Sequence, residues 1–201
     1  MRYISTRGEM AAQGFCDVLL EGLAPDGGLA VPESVPHISE STLESWRSLS
    51  YPELAAEVLG YFVTDIEPDV LKSMTARAYE GSKFRSETIV SLRPLADSIS
   101  LLGLSEGPTL AFKDMAMQFL GEAFPHVLAA RSTTLNILGA TSGDTGSAAE
   151  YAMRSKTGLA VFMLSPYGRM SAFQRAQMYS LKDENIHNIA VRGVFDEAQD
   201  I

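Results

Sequence analysis

Thr133-Thr134-Leu135-Asn136-Ile137-Leu138, followed by Gly139-Ala140-Thr141-Ser142-Gly143-Asp144-Thr145-Gly146 and then Ser147 to Arg154, is the stretch whose reading decides the fold. Its first six residues suit a strand from Thr133 to Leu138. The next eight form a turn rich in Gly and hydroxyls, and Ser147 to Arg154 reads as a helix. Leu159-Ala160-Val161-Phe162-Met163-Leu164 is apolar at every position, as in a strand buried on both faces. Strand, helix, strand in this order is a parallel crossover unit. A second helix near Ser171 to Leu181 leads to a strand from Ile186 to Val191. At least three parallel strands follow, with another helix starting at Phe195. The predicted class is α/β, a helical N-terminal section followed by a doubly wound parallel sheet.

Working outward, Ile89-Val90-Ser91-Leu92 and Ser100-Leu101-Leu102-Gly103-Leu104 read as short strands. Glu106-Gly107-Pro108-Thr109 is a turn, and a helix is predicted from about Ala111. Phe112, Met115, Phe119 and Ala123 make one apolar stripe on it; Met117, Leu120 and Phe124 make another. Such a helix is buried on two sides. His126 follows Pro125, which predicts a helix break and a surface histidine.

The section before residue 80 is mostly helical in pattern. Phe15 to Leu23 is a short helix closed by Gly22, and Pro25-Asp26-Gly27-Gly28 is a turn. Ser39 or Ser41 can cap a helix through Trp46. Leu54, Val58 and Phe62 put one apolar face on a helix from Tyr51. Glu67-Pro68-Asp69 opens another. The predicted division is a mostly helical domain over 1–95 and an α/β domain over 96–201.

The chain has 201 residues, with 16 Lys plus Arg against 25 Asp plus Glu, a net charge of −9. That balance argues against a nucleic-acid partner. Hydrophobic residues make up 46%, so long disorder is not expected. The single cysteine, Cys16, excludes an internal disulfide framework and reads as packing. Three scattered histidines give no metal cluster. No apolar run is long enough to span a bilayer, and no signal core opens the chain, so no membrane partner and a cytoplasmic setting are expected.

Three features could carry chemistry. The loop Thr141 to Gly146 sits at a strand's carboxyl end and a helix's N-terminus, where open α/β sheets bind ligands. Its glycines let the backbone approach a ligand, and the helix end favours an anion. Asp144 would repel an anion, so it either caps the helix or faces a cationic or hydroxyl group of the ligand. No lysine follows the second glycine, so the loop is not a nucleotide-binding P-loop. The second feature is Lys113, among Leu110, Ala111, Phe112 and Met115. A lysine so placed either snorkels to water or sits in a partly dry pocket, the setting that Schiff-base lysines need. The third is Ser165-Pro166-Tyr167-Gly168-Arg169-Met170-Ser171. Arg169 there either clamps a phosphate or carboxylate or is solvated beside a turn whose Ser171 caps the next helix.

Together these blocks resemble the threonine synthase family of fold-type II pyridoxal-phosphate enzymes. The resemblance rests on Tyr3-Ile4-Ser5-Thr6-Arg7-Gly8 with Leu23-Ala24-Pro25-Asp26-Gly27-Gly28-Leu29, on Gly107-Pro108-Thr109-Leu110-Ala111-Phe112-Lys113-Asp114, and on Ala140 to Ala149. Glu106 departs from the His that many members carry. The resemblance implies pyridoxal 5′-phosphate as cofactor, held by Lys113, with Asp144 facing its 3′ oxygen. It implies that Thr141, Ser142, Gly143 and Thr145 bind the substrate carboxylate. The substrate would be O-phosphohomoserine, converted with water to threonine and phosphate by γ-elimination and β-addition of water. Arg169 is assigned to the substrate phosphate as our own expectation. The family's glycine-rich phosphate cup does not appear in the chain. It therefore reads as the front part of a longer enzyme, truncated within its cofactor domain, inactive alone and prone to self-association. Alternatives are a serine/threonine dehydratase relative and a non-catalytic binding module on the same fold.

Overall fold

Residues 1–200 are described by the computed structural model, and they divide into two units, Met1–Ala78 and the residues from Tyr79 onward. In the first unit, β1 (Tyr3–Ser5) pairs antiparallel with β2 (Ala30–Pro32). The helices are α1 (Phe15–Glu21), α2 (Glu40–Ser45), α3 (Tyr51–Gly60) and α4 (Pro68–Ala78). Of the two candidate caps for α2, Ser39 is the one used: its hydroxyl accepts from the Thr42 amide at 3.1 Å. At α3, the Glu53 carboxylate reaches back to the Ser50 amide at 2.8 Å, half of a capping box. The α3 and α4 helices pack together, burying Ala56, Leu71, Met74 and Ala78.

The Pro25–Gly28 turn is fixed by one carboxylate. Asp26 accepts from the Ser5 hydroxyl at 2.7 Å, the Gly28 amide at 2.8 Å and the Glu9 amide at 3.0 Å. These bonds hold its carboxyl below the usual range, the Ser5 hydroxyl contributing most. The end of β1 is thereby pinned to the turn before β2.

The second unit begins with an antiparallel hairpin, β3 (Ser91–Ala96) and β4 (Ile99–Gly103). Leu92, Leu95, Ile99, Leu101 and Leu102 on it are exposed. Next comes α5, Asp114–Ala130. This helix starts three residues later than its apolar pattern suggests, because Leu110 adopts φ +65° and the chain forms tight turns up to Lys113. Nor does it break at Pro125. Buried Ala123, Phe124, Val127 and Leu128 fasten the turns around the proline, and the helix runs on with His126 exposed.

The parallel sheet follows: β5 (Leu135–Ala140), α6 (Asp144–Met153), β6 (Leu159–Pro166), α7 (Ala172–Tyr179), β7 (Ile186–Val191) and α8 (Phe195–Gln199). Its strand order is β5-β6-β7, with Ala140 opposite Leu164 and Leu164 opposite Ile189. The central strand is apolar from Leu159 to Leu164, pairs on both edges and buries Val161, Met163 and Leu164. Helix α5 packs on α6, where Gly121 leaves no room for a Cβ against the Ala152 carbonyl. The Lys156 ammonium adds an ion pair to Glu122 at 2.7 Å. Helix α6 starts three residues earlier than its pattern suggests, since its first turn includes Asp144-Thr145-Gly146. No helix among the described residues is long and apolar enough to cross a membrane.

Candidate active site

The parallel strands β5 and β6 deliver two loops to the carboxyl edge of the sheet. The first is the glycine loop. Thr141 is buried and its amide still follows the strand ladder, donating to the Leu164 carbonyl at 2.9 Å. Its hydroxyl oxygen accepts from the Gly143 amide at 3.0 Å and the Gly146 amide at 2.8 Å. Thr141 is thus the brace that sets the loop's curvature. Gly146 is glycine because a Cβ would sit 2.5 Å from the Thr141 methyl. Gly143 has φ +148°, a region that side-chain-bearing residues rarely adopt.

The brace leaves other groups free. Ser142 and Asp144 are exposed and Thr145 is half-buried. The amides of Ser142, Asp144 and Thr145 have no intrachain acceptor among the described residues. Three N–H groups therefore sit at the positive end of α6. Asp144 is not the helix cap. Gly143 occupies that position, and the Asp144 carboxylate accepts from the Gln174 side-chain amide at 2.7 Å.

The lysine loop is held from within. Asp114 is fully buried, and its carboxylate accepts from the Thr109 amide at 2.8 Å and the Thr109 hydroxyl at 2.9 Å. Burial raises the Asp114 carboxyl above the usual range, and the bonds from Thr109 act against that rise. Gly107 packs against the same side chain, leaving 2.5 Å for a Cβ. Lys113, just before α5, is half-buried with Nζ 4.3 Å from the centroid of the exposed Phe112 ring. Among the described residues it makes no ion pair. Its surroundings therefore combine snorkelling and packing instead of choosing between them.

Helix α7 ties the two loops together. Gln174 holds Asp144, and one turn later the Gln177 side chain donates to the Thr109 carbonyl at 3.0 Å. Ser171 caps this helix by accepting from the Gln174 amide at 3.2 Å. Arg169 is exposed in the turn before it and reaches neither loop through any hydrogen bond. The sequence pattern assigns no role of their own to Asp114, Gln174 or Gln177, although Asp114 closes the lysine block. Ser171-x-x-Gln174 matches a capping box and was a readable signal for one of them; no sequence rule pointed to Asp114 or Gln177. Among the described residues, no group of His, Cys, Asp and Glu could hold a metal ion.

The sequence profile described as "Threonine synthase N terminus" matches residues 2–79. The chain is 56% identical over 206 aligned residues to the threonine synthase of Corynebacterium glutamicum, covering all of this chain and 43% of that protein. It is 53% identical to the enzyme of Methylobacillus glycogenes, covering all of this chain and 44% of that one. Among solved structures, the pyridoxal-phosphate-bound threonine synthase of Brucella melitensis superposes with a TM-score of 0.91 at 41% identity, covering all of this chain and 43% of that one. The chain thus spans less than half the length of the relatives it matches. Along its whole length, the chain is a relative of the N-terminal part of the threonine synthases.

Proposed function

We propose that the protein carrying this chain is a pyridoxal-phosphate-dependent threonine synthase, a lyase that converts O-phosphohomoserine and water to threonine and phosphate. The observation that carries this reading is the similarity to threonine synthases along the whole chain, and the double tie of α7, Gln174 to Asp144 and Gln177 to Thr109, supports it. The tie holds the glycine loop and the lysine loop to one helix at the ligand-binding edge of the sheet.

The residues present fit such a cofactor. Lys113 offers an amine with no ion-pair partner among the described residues, beside an aromatic ring. The glycine loop offers free backbone amides and a glycine with φ +148°, which lets a ligand come close to the main chain. When bound, pyridoxal phosphate supplies an electron sink for carbanions on the substrate. Lys113 would hold the cofactor through Nζ and would move protons to and from the substrate. The amides of Ser142 and Thr145, with Gly143 between them, orient the substrate carboxylate, and Thr141 keeps them aimed. Asp144 would face the cofactor's 3′ oxygen, and Arg169 would meet the substrate phosphate. The 201-residue chain alone is proposed to be inactive.

Phosphate release from O-phosphohomoserine, followed with pyridoxal phosphate present, tests this. The complete protein is expected to release phosphate, its Lys113→Ala variant and the 201-residue chain alone are not. Ammonia release from serine without phosphate release from O-phosphohomoserine would overturn the reading in favour of a dehydratase.

A further inference from the structure

We infer that Gln174 is the positioning residue for Asp144, a role that rests on the proposal that Asp144 faces the cofactor. The Gln174 amide is engaged at both ends. Its Oε1 accepts from the Ser171 hydroxyl at 2.8 Å and the Ser171 backbone amide at 3.3 Å. Its Nε2 donates to Asp144 Oδ1 at 2.7 Å. The partners fix the sense of this amide. A backbone N–H can only donate, so it must face the oxygen, while an ionised carboxylate can only accept, so it must face the nitrogen.

Space confirms the seat. A Cβ on Gly143 would run into the Gln174 amide group, so the glycine loop and the glutamine are shaped to each other. Asp144 has no other side-chain partner among the described residues, so Gln174 alone restrains it. The bond engages Oδ1 and leaves Oδ2 open to a ligand. A neutral donor matters here. Lysine or arginine at position 174 would neutralise the carboxylate, whereas an amide orients it and leaves its charge available. The cap at Ser171 sets the glutamine, and Gln177 fixes the same helix to the lysine loop at Thr109. Asp144 is therefore placed with reference to Lys113 through α7.

The test uses the complete protein with Gln174→Leu and Gln174→Glu, each alone and in an Asp144→Ala background. The unfolding midpoint without cofactor reads the contact. The visible absorption of added pyridoxal phosphate, with kcat and KM for O-phosphohomoserine, reads its consequence. Gln174→Leu is expected to lower kcat about tenfold with KM changed less than about twofold, and to move the visible band. Gln174→Glu sets carboxylate against carboxylate and is expected to lower kcat further. In the Asp144→Ala background, Gln174→Leu is expected to add almost nothing to the band or kcat, and to cost the midpoint only the bonds to Ser171. Equal changes in kcat and in the band in both backgrounds would overturn the inference and leave Gln174 as a cap of α7 only. A wild-type protein that takes up no pyridoxal phosphate would overturn the underlying reading, and the inference with it.

Discussion

Asp114 and Thr109 close the lysine loop on itself: one buried carboxylate accepts both the amide and the hydroxyl of a residue five positions earlier. The bend they enforce holds Leu110 at φ +65° and keeps α5 from starting before Asp114. Asp114→Ala removes both acceptors and leaves a buried N–H and hydroxyl unpaired, at a cost of about 2–4 kcal/mol. Asp114→Asn keeps one acceptor, and the Thr109 hydroxyl can turn to accept from the new amide. Urea unfolding should therefore rank wild type, Asn and Ala in that order. Pyridoxal-phosphate uptake by the complete protein should fall in the same order. Equal losses for both variants would show that the paired bonds are not what holds the loop.

Glu150 predicts a pH dependence. It is fully buried on α6, and among the described residues neither carboxylate oxygen meets a partner in good hydrogen-bond geometry, the Asn188 side chain being a poorly aligned neighbour. Burial pushes its carboxyl from 4.5 up to about 7, with the Asn188 side chain acting weakly the other way. The folded state thus binds this proton more tightly than the unfolded state. The stabilisation is complete below about pH 4.5 and is lost as pH rises through 7. Glu150→Gln cannot ionise, and its new amide can donate to Asn188 Oδ1, which has no partner in the wild type. The variant should gain stability over wild type at pH 8–9 by an amount on the order of 3 kcal/mol and gain little at pH 5. Unfolding midpoints measured from pH 5 to 9 check this; parallel curves for the two proteins would refute it.

Thr141 separates bracing from direct ligand contact. Its hydroxyl oxygen accepts from Gly143 and Gly146, inside the loop. Thr141→Val keeps the shape, removes the acceptor and strands two amides, at a cost of about 2 kcal/mol. Thr141→Ser restores the acceptor. On the proposed function, Val should raise KM for O-phosphohomoserine and lower kcat, while Ser returns both most of the way. A Val variant with wild-type kinetics would show that the loop holds its curve without the brace.

The parallel sheet was legible because its central strand, which pairs on both edges, is apolar at every position from Leu159 to Leu164. The glycine loop was legible because Gly143 and Gly146 are forced, one by its φ and the other by Thr141. Element ends were less so. The start of α5 depends on a side chain folding back on its own loop, which no apolar period records. The run through Pro125 depends on burial on both sides of the proline. The sequence leaves Asp144 either capping the helix or facing a ligand group; Gly143 holds the cap position, and a residue thirty positions away takes the carboxylate, a partner no local pattern records. Long-range partners such as Gln177 and Thr109, separated by 68 residues, leave no local signature.

Asp26 shows that a recognisable motif can be structural. The N-terminal blocks Tyr3–Gly8 and Leu23–Leu29 meet through its carboxylate, which accepts from Ser5, Gly28 and Glu9. Arg7 adds a bond to the Asp26 carbonyl at 2.9 Å, and the Leu29 amide donates to the Thr6 hydroxyl at 3.0 Å. Nearly every polar residue of the two blocks is thus engaged within the turn. Because those bonds hold the Asp26 carboxyl below its ordinary range, the unfolded state binds its proton more tightly than the folded state. The stabilisation is present above the unfolded carboxylate range and is lost as pH falls through the folded value. Asp26→Asn should weaken the first unit at neutral pH, and the gap to wild type should shrink as the pH falls below about 4. Hydrogen exchange at the Glu9 and Gly28 amides reads it directly. Both should exchange faster in the variant at pH 7, and unchanged rates would show that the turn is held by its backbone alone.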